Sequence, residues 1–162
     1  PLTARSEAPL PTSADKASER LRLQEAVAEF VRDAGRGRTC SVLLLDAFGS
    51  VLQPRRRARY ELSAAGSFVV ERETVDLRWE SFGVWPLSAV LGAYSSESSA
   101  LVSGAAEDLE RHLSGDELSR AALVEFAGGR RSPLLMVEES VEHRDRLVAG
   151  LKVLRLCRPG VV

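Results

Sequence analysis

Two short apolar segments near the end of the chain, Ala121 to Phe126 and Pro133 to Glu138, flank a glycine pair at Gly128-Gly129 and precede a long patterned stretch, Val141 to Cys157. Short apolar runs on either side of such a turn read as a β-hairpin. In the stretch that follows, Val141, Leu147, Val148, Leu151, Leu154 and Leu156 fall mostly at helical spacing, while Glu142, Arg144, Asp145, Arg146 and Lys152 take the remaining positions. A hairpin therefore feeds a terminal amphipathic helix.

Size and charge narrow the class further. With 162 residues, 44% of them hydrophobic, the chain can build one domain with a sizeable core plus an extra segment, and two domains are not expected. A net charge of -1 provides no global attraction to nucleic acid or to an anionic membrane, so binding of that kind needs a local patch. The apolar runs fall well short of the roughly 20 residues of a membrane-spanning helix. Cys40 and Cys157 are the only cysteines and lack CxxC spacing, and no signal peptide precedes them, which points to a reducing, cytosolic compartment. The chain begins at Pro1, so a lipidation signal ahead of that residue is not visible.

Residues 1–13 hold three of the seven prolines and read as a disordered linker. An amphipathic helix is expected over residues 14–35, with Ser13 as its cap and Lys16 at the third position, hence without the carboxylate of a capping box. Leu21, Ala26, Val27, Phe30 and Val31 form its apolar stripe. Packing on the domain's own surface is the simpler reading of that stripe; a partner-binding or membrane-surface helix is the functional one. The helix is expected to end near Ala34-Gly35 with a left-handed glycine.

Cys40 to Asp46 reads as a buried strand bounded by glycines. After a turn region at Phe48-Gly49-Ser50 and Pro54 come Arg55, Arg56, Arg57 and Arg59, placed at a hairpin mouth, and then a strand through Tyr60-Glu61-Leu62. Ala65-Gly66 is the next turn. Ser67 to Glu73 and Val75 to Glu80 supply two more strands, the second with Val75, Leu77 and Trp79 facing the core and Asp76, Arg78 and Glu80 facing water. Pro86, inside Phe82 to Leu91, belongs at an edge, a strand start or a bulge, because proline donates nothing to a ladder. Ala105 to Leu118, with Leu109, Leu113 and Leu118 among charged residues, reads as a short helix in a loop.

Little of this patterning suggests chemistry. His112 and His143 are far apart in charged surroundings and read as surface histidines. Cys40 and Cys157 read as small buried hydrophobes. Gly128-Gly129 followed by Arg130-Arg131 is better explained by a tight hairpin than by an anion cradle. Glu138, Glu139 and Glu142 cluster without a partner for acid/base work. Trp79, Phe82, Trp85 and Phe126 read as core residues and not as a base-stacking platform. No nucleophile, base and orienter assemble, so no enzyme, no cofactor, no metal and no nucleic-acid partner are expected.

The order of elements over residues 39–158 resembles the pleckstrin-homology (PH) fold, a bent antiparallel β-barrel or sandwich capped by a C-terminal helix. Trp85-Pro86-Leu87-Ser88-Ala89-Val90 is similar to the strand that completes the first sheet in that family. Glu142, Arg144 and Asp145 match the opening of its terminal helix, whose frequent mid-helix tryptophan is replaced here by Leu147 or Val148. The Ala105 to Leu118 insert is similar to elaborations of phospholipase-C-type PH domains. More narrowly, Ala122 to Phe126, Pro133 to Glu138, Arg144-Asp-Arg146 and Leu151 to Leu156 resemble the inner-membrane-complex sub-compartment proteins of apicomplexan parasites. These are small PH-like proteins tethered by N-terminal acylation.

That resemblance implies a noncatalytic scaffold or adaptor, docking on proteins of a membrane-associated cytoskeleton, cytoplasmic and peripheral to an internal membrane. Asp76, Arg78 and Glu80 on one sheet face, or Leu109 in the insert, would carry the docking; oligomeric state is left open. The alternative is a phosphoinositide-binding module. In lipid-binding PH domains a basic residue near the end of strand one and an arginine-rich start of strand two converge on inositol phosphates, for which Arg55, Arg56, Arg57 and Arg59 are the candidates. A nonspecific membrane or acidic-protein contact would use the same residues. Asp46 stands where the strand-one base would be, and its carboxylate would repel phosphates.

Overall fold

The computed structural model of the chain describes residues 9–128 and 132–156. Most of the expected linker, together with Gly129, Arg130, Arg131 and Cys157, lies outside them.

Helix α1 spans Ser13–Gly35 and is capped one residue earlier than expected. Thr12, not Ser13, accepts from the Asp15 backbone N–H through its hydroxyl, and Asp15 accepts from the Thr12 N–H at 2.9 Å. This is a full capping box, hidden in the sequence because a cap at Ser13 puts Lys16 where the carboxylate belongs. At the other end the left-handed glycine is Gly37, at φ 83°, and not Gly35.

Seven antiparallel strands follow in one sheet of order β4-β3-β2-β1-β7-β6-β5, formed by β1 (Arg38–Leu45), β2 (Val51–Leu62), β3 (Ser67–Glu73), β4 (Trp79–Pro86), β5 (Val90–Ser95), β6 (Ala121–Phe126) and β7 (Leu134–Val137). The edge strands β4 and β5 do not pair, so the bent sheet stays open along that seam. Pro86 ends edge strand β4, where a missing donor costs no ladder bond. Helix α5 (Val141–Leu154) lies on the concave side.

Strands β1, β6 and β7 are buried on both faces, which is why they read as unbroken apolar runs. Val42, Val124, Leu134 and Met136 point into the concave core with Leu147 and Leu151 of α5. Their neighbours Leu43, Leu45, Leu123, Leu135 and Val137 point to the convex side, into a second core. The lid of that core is the segment expected to be a short helix in a loop. It folds instead as two short helices, α3 (Ala106–Leu109) and α4 (Gly115–Ser119), preceded by a third, α2 (Ala100–Gly104), and together they bury Val102, Leu109 and Leu113. Removing a leucine side chain from such a site costs about 2–5 kcal/mol.

A row of aromatic rings ties the two halves of the concave core. Phe30, Tyr60, Phe68, Phe126 and Trp85 follow one another at centroid distances of 6.4, 5.5, 6.2 and 4.0 Å. The last pair, stacked at 14°, bridges β6 to edge strand β4 across the open seam. At the other end of the row, Phe30 seats on Gly150 of α5. A methyl group there would lie inside the ring's van der Waals envelope.

Candidate functional site

Strand β2 is longer than the sequence suggests. It begins at Val51, so Pro54 and the arginines lie within the strand and not in a turn or at a hairpin mouth. No apolar alternation marks residues 53–57, which is why the strand is invisible there; pairing of Val42 with Arg56 and Ser41 with Arg57 holds it in place. Because side chains alternate along a strand, the four arginines part company. Arg56 shares the concave side with Val42, Ala58 and Tyr60, and Arg55, Arg57 and Arg59 share the convex side.

On the convex side each arginine meets a glutamate. Arg55 pairs with Glu117 of α4, Arg57 with Glu73 at 3.2 Å, and Arg59 with Glu71 at 2.5 Å. Backbone and side-chain contacts at Ser114 and Arg55 hold the Glu117 carboxyl below its ordinary range. Trp79, expected in the core, lies instead on this face as a platform, 5.6 Å from the Arg57 guanidinium and 5.0 Å from that of Arg59. A phosphate arriving here meets three carboxylates along with three arginines. Such half-exposed ion pairs contribute about 0–1 kcal/mol each to stability. The glutamates were legible only as an alternating Glu71-Arg72-Glu73, which makes sense once β3 is set beside β2.

The open mouth of the sheet holds a cavity of about 370 Å³ lined by Leu44, Gln53, Arg72, Phe82, Trp85 and Leu134 among others. Arg72 spans it, bonded to Glu80 at 2.5 Å and Gln53 at 3.0 Å and lying 5.5 Å over the Phe82 ring. Arg56 borders a smaller adjoining space. Among the described residues Arg56 has no ion-pair partner, in contrast to its three neighbours. The four arginines therefore do not converge on one pocket.

Three hairpin turns share one backbone course. In Asp46–Ser50, Ser63–Ser67 and Thr74–Arg78 the first residue's carbonyl accepts from the N–H three positions on, at 3.1, 3.0 and 3.0 Å, and its N–H donates to the carbonyl four positions on, at 2.8, 2.9 and 2.7 Å. The first residue's side chain also accepts from the fifth residue's N–H: Asp46 from Ser50, Ser63 from Ser67 and Thr74 from Arg78. Asp46 is thus committed to its own turn. The fourth position is left-handed in all three, at Gly49 (φ 87°), Gly66 (φ 78°) and Leu77 (φ 59°). Among the described residues Leu77 is the only non-glycine there.

This corrects the expected strand Val75 to Glu80. Val75, Asp76, Leu77 and Arg78 form the tip between β3 and β4, and β4 begins at Trp79. Val75 and Leu77, expected in the core, are 91% and 77% exposed. Asp76 and Arg78 flank them in solvent, while Glu80 lies down the strand, bound to Arg72. Leu109, the other docking candidate, is fully buried in the convex core and presents nothing to a partner. Nothing in the sequence marks Thr74–Arg78 as a turn, because the residue type that signals a left-handed position is missing.

The acidic cluster after β7 is a structural joint. Glu138 is fully buried and accepts from the Tyr60 hydroxyl at 2.5 Å, with the Arg38 guanidinium 3.7 Å away. Burial pushes the Glu138 carboxyl up, and likewise the Tyr60 hydroxyl and the Cys40 thiol. Arg120 closes the joint on the Glu138 carbonyl. Glu139 stays outside, 3.3 Å from Arg38, and Glu142 is exposed. His112 is exposed; His143 is half-buried against Ser140, with Nδ1 3.0 Å from the hydroxyl. Among the described residues no three His, Cys, Asp or Glu side chains are grouped to hold a metal ion.

No protein-family model matches the chain, and no curated protein matches it. Solved structures do. Inner membrane complex sub-compartment protein 1 (ISP1) of Toxoplasma gondii superposes with a TM-score of 0.50 at 18% identity, covering 94% of this chain and all of that one. The PH domain of TgAPH superposes with a TM-score of 0.46 at 9% identity, over 84% of this chain and 93% of that one. The chain has the architecture expected of a PH-like fold: an open, bent antiparallel sheet with a helix at each end of the chain, similar over nearly its whole length to ISP1.

Proposed function

We propose that the chain is a noncatalytic docking module that engages a partner protein through the tip between β3 and β4. One observation carries this reading: Leu77 occupies a left-handed backbone position with its side chain in solvent. A leucine at that position costs about 1–2 kcal/mol relative to glycine. Leu77, 77% exposed, returns little of that by packing on its own domain. With Val75 beside it and Asp76 and Arg78 around them, the tip has the apolar centre and polar rim of a small protein interface. A membrane-associated structure is the proposed setting, by analogy with the inner membrane complex that the ISP1 name records. Among the described residues no helix is long and apolar enough to cross a membrane.

The test is site-specific photo-crosslinking in the native cell, with a photoreactive side chain at position 77 and, as a control at the exposed tip of the Ser63–Ser67 turn, at position 65. Docking through the tip gives a discrete adduct from 77, competed away by the unmodified protein, and none from 65. Identical patterns from both positions, or none from either, would sink it.

A second reading rests on Arg56. Without an ion-pair partner among the described residues and set at the mouth, it is the arginine best placed to meet an inositol phosphate. Selective binding to phosphoinositide vesicles at physiological salt, lost in Arg56→Glu and kept in Arg57→Glu, would favour that reading. Equal loss in both variants would point to nonspecific attraction.

A further inference from the structure

Helix α1 carries two apolar stripes, and only one is used. Val27, Phe30 and Ala34 face the body, with Phe30 seated on Gly150 and stacked toward Tyr60. The second stripe, Ala14, Ala17, Leu21, Gln24, Ala28 and Val31, lies roughly 120° around the helix and is exposed along its whole length. Leu21 and Val31, expected to pack on the domain, belong to it and are 60% and 43% exposed. Leu10, 90% exposed, continues the same spacing one step ahead of the helix. The steps from Leu10 onward alternate four and three residues, the 3.5-residue repeat of a coiled-coil seam and not the 3.6 of a helix lying on a globular core.

Two further observations bear on what covers the seam. Residues 13–25 are exposed on every side, so the first half of α1 stands clear of the body for about 20 Å, yet it is closed by a capping box. Isolated helices of that length are marginal in water. The charges beside the seam are also self-complementary. With Ala14, Leu21 and Ala28 at a positions, Arg20 stands at g and Glu25 at the following e, the two positions that meet between chains of a parallel pair. In an antiparallel pair g meets g and e meets e, so Arg20 and Glu25 would not face each other.

We infer that the exposed face of α1 is a parallel, in-register coiled-coil seam whose occupant is α1 of a second copy of this chain. The seam leaves each body about 120° to the side, so the two domains lie on opposite flanks of the helix pair and both β3–β4 tips stay free. Self-association thus goes beyond single-site docking and would make the tip bivalent. With alanine at three core positions and Gln24 at a fourth, the dimer is weak and reversible.

The test is sedimentation equilibrium of the full chain over a wide concentration range. The expected result is a monomer–dimer equilibrium, abolished by Leu21→Glu, weakened severalfold by Arg20→Glu and by Glu25→Arg, and restored by the Arg20→Glu/Glu25→Arg double exchange. Thermal unfolding of dilute samples separates loss of pairing from loss of fold, because these residues touch nothing in the monomer. In a Cys157→Ser background, Ala14→Cys, near one end of the seam, crosslinks to its own counterpart under mild oxidation only if the helices are parallel and in register. A monomeric mass at all concentrations, a dimer indifferent to these substitutions, or a monomer that binds phosphatidylserine vesicles through Leu21 would overturn the inference.

Discussion

The turns Asp46–Ser50 and Ser63–Ser67 follow the same backbone course as Thr74–Arg78, with the same hydrogen bonds and the same side-chain acceptor at the first position. They differ at the fourth residue: Gly49 and Gly66 adopt φ > 0 without steric penalty, while Leu77 adopts it against one. Geometry alone therefore does not ask for leucine at the third turn, since two glycines solve the same problem in the same sheet. What Leu77 adds is an exposed apolar side chain beside Val75, the pairing expected where local strain is kept for contact with something outside the domain.

Exchanging residues between the turns tests this comparison. The largest effect is expected for Gly49→Leu, because a Cβ there would meet the Ala105 methyl at 2.7 Å and the Leu101 carbonyl at 3.2 Å in addition to the strained φ. A loss of about 3–4 kcal/mol is expected, read as a fall in the midpoint of urea unfolding. A loss no larger than that of the next variant would mean the α2–α3 lid yields at that corner. Gly66→Leu has open space around its Cβ and isolates the backbone term, so it should cost about 0.5–1 kcal/mol once the entropy of the unfolded glycine is set against the strain. Val75→Asp removes half of the apolar tip without touching the strained residue, and its stability should stay within about 0.5 kcal/mol of the native chain. Its photo-crosslinking from position 77 should nonetheless fall; undiminished crosslinking would confine docking to Leu77 and Arg78.

How far the sequence was legible follows from the same physics. The strand Ala121–Phe126 and the start of helix α5 at Val141 stand where the apolar runs and the helical spacing put them, because local pattern and tertiary burial agree. Strand β2 was half hidden, since its Val51 to Arg57 stretch is held by pairing with β1 and carries no apolar alternation. The left-handed Leu77 was unreadable for the opposite reason: local preference contradicts the turn that the β3–β4 register imposes. Leu109 was readable as apolar but not as buried, because a short helix shows which residues share a face and not what covers it. The arginines were the strongest signal of a site, and their partners Glu71, Glu73 and Glu117 come from elements that only folding brings alongside.

The most direct measurement is the equilibrium unfolding free energy of Leu77→Gly against the native chain. If Leu77 is held under strain for an external partner, the glycine variant is more stable by about 0.5–1 kcal/mol, the relief of the left-handed leucine exceeding the added entropy of the unfolded glycine. If the variant is less stable than the native chain, Leu77 stabilises the fold itself, and the strained tip loses its claim to be the docking site.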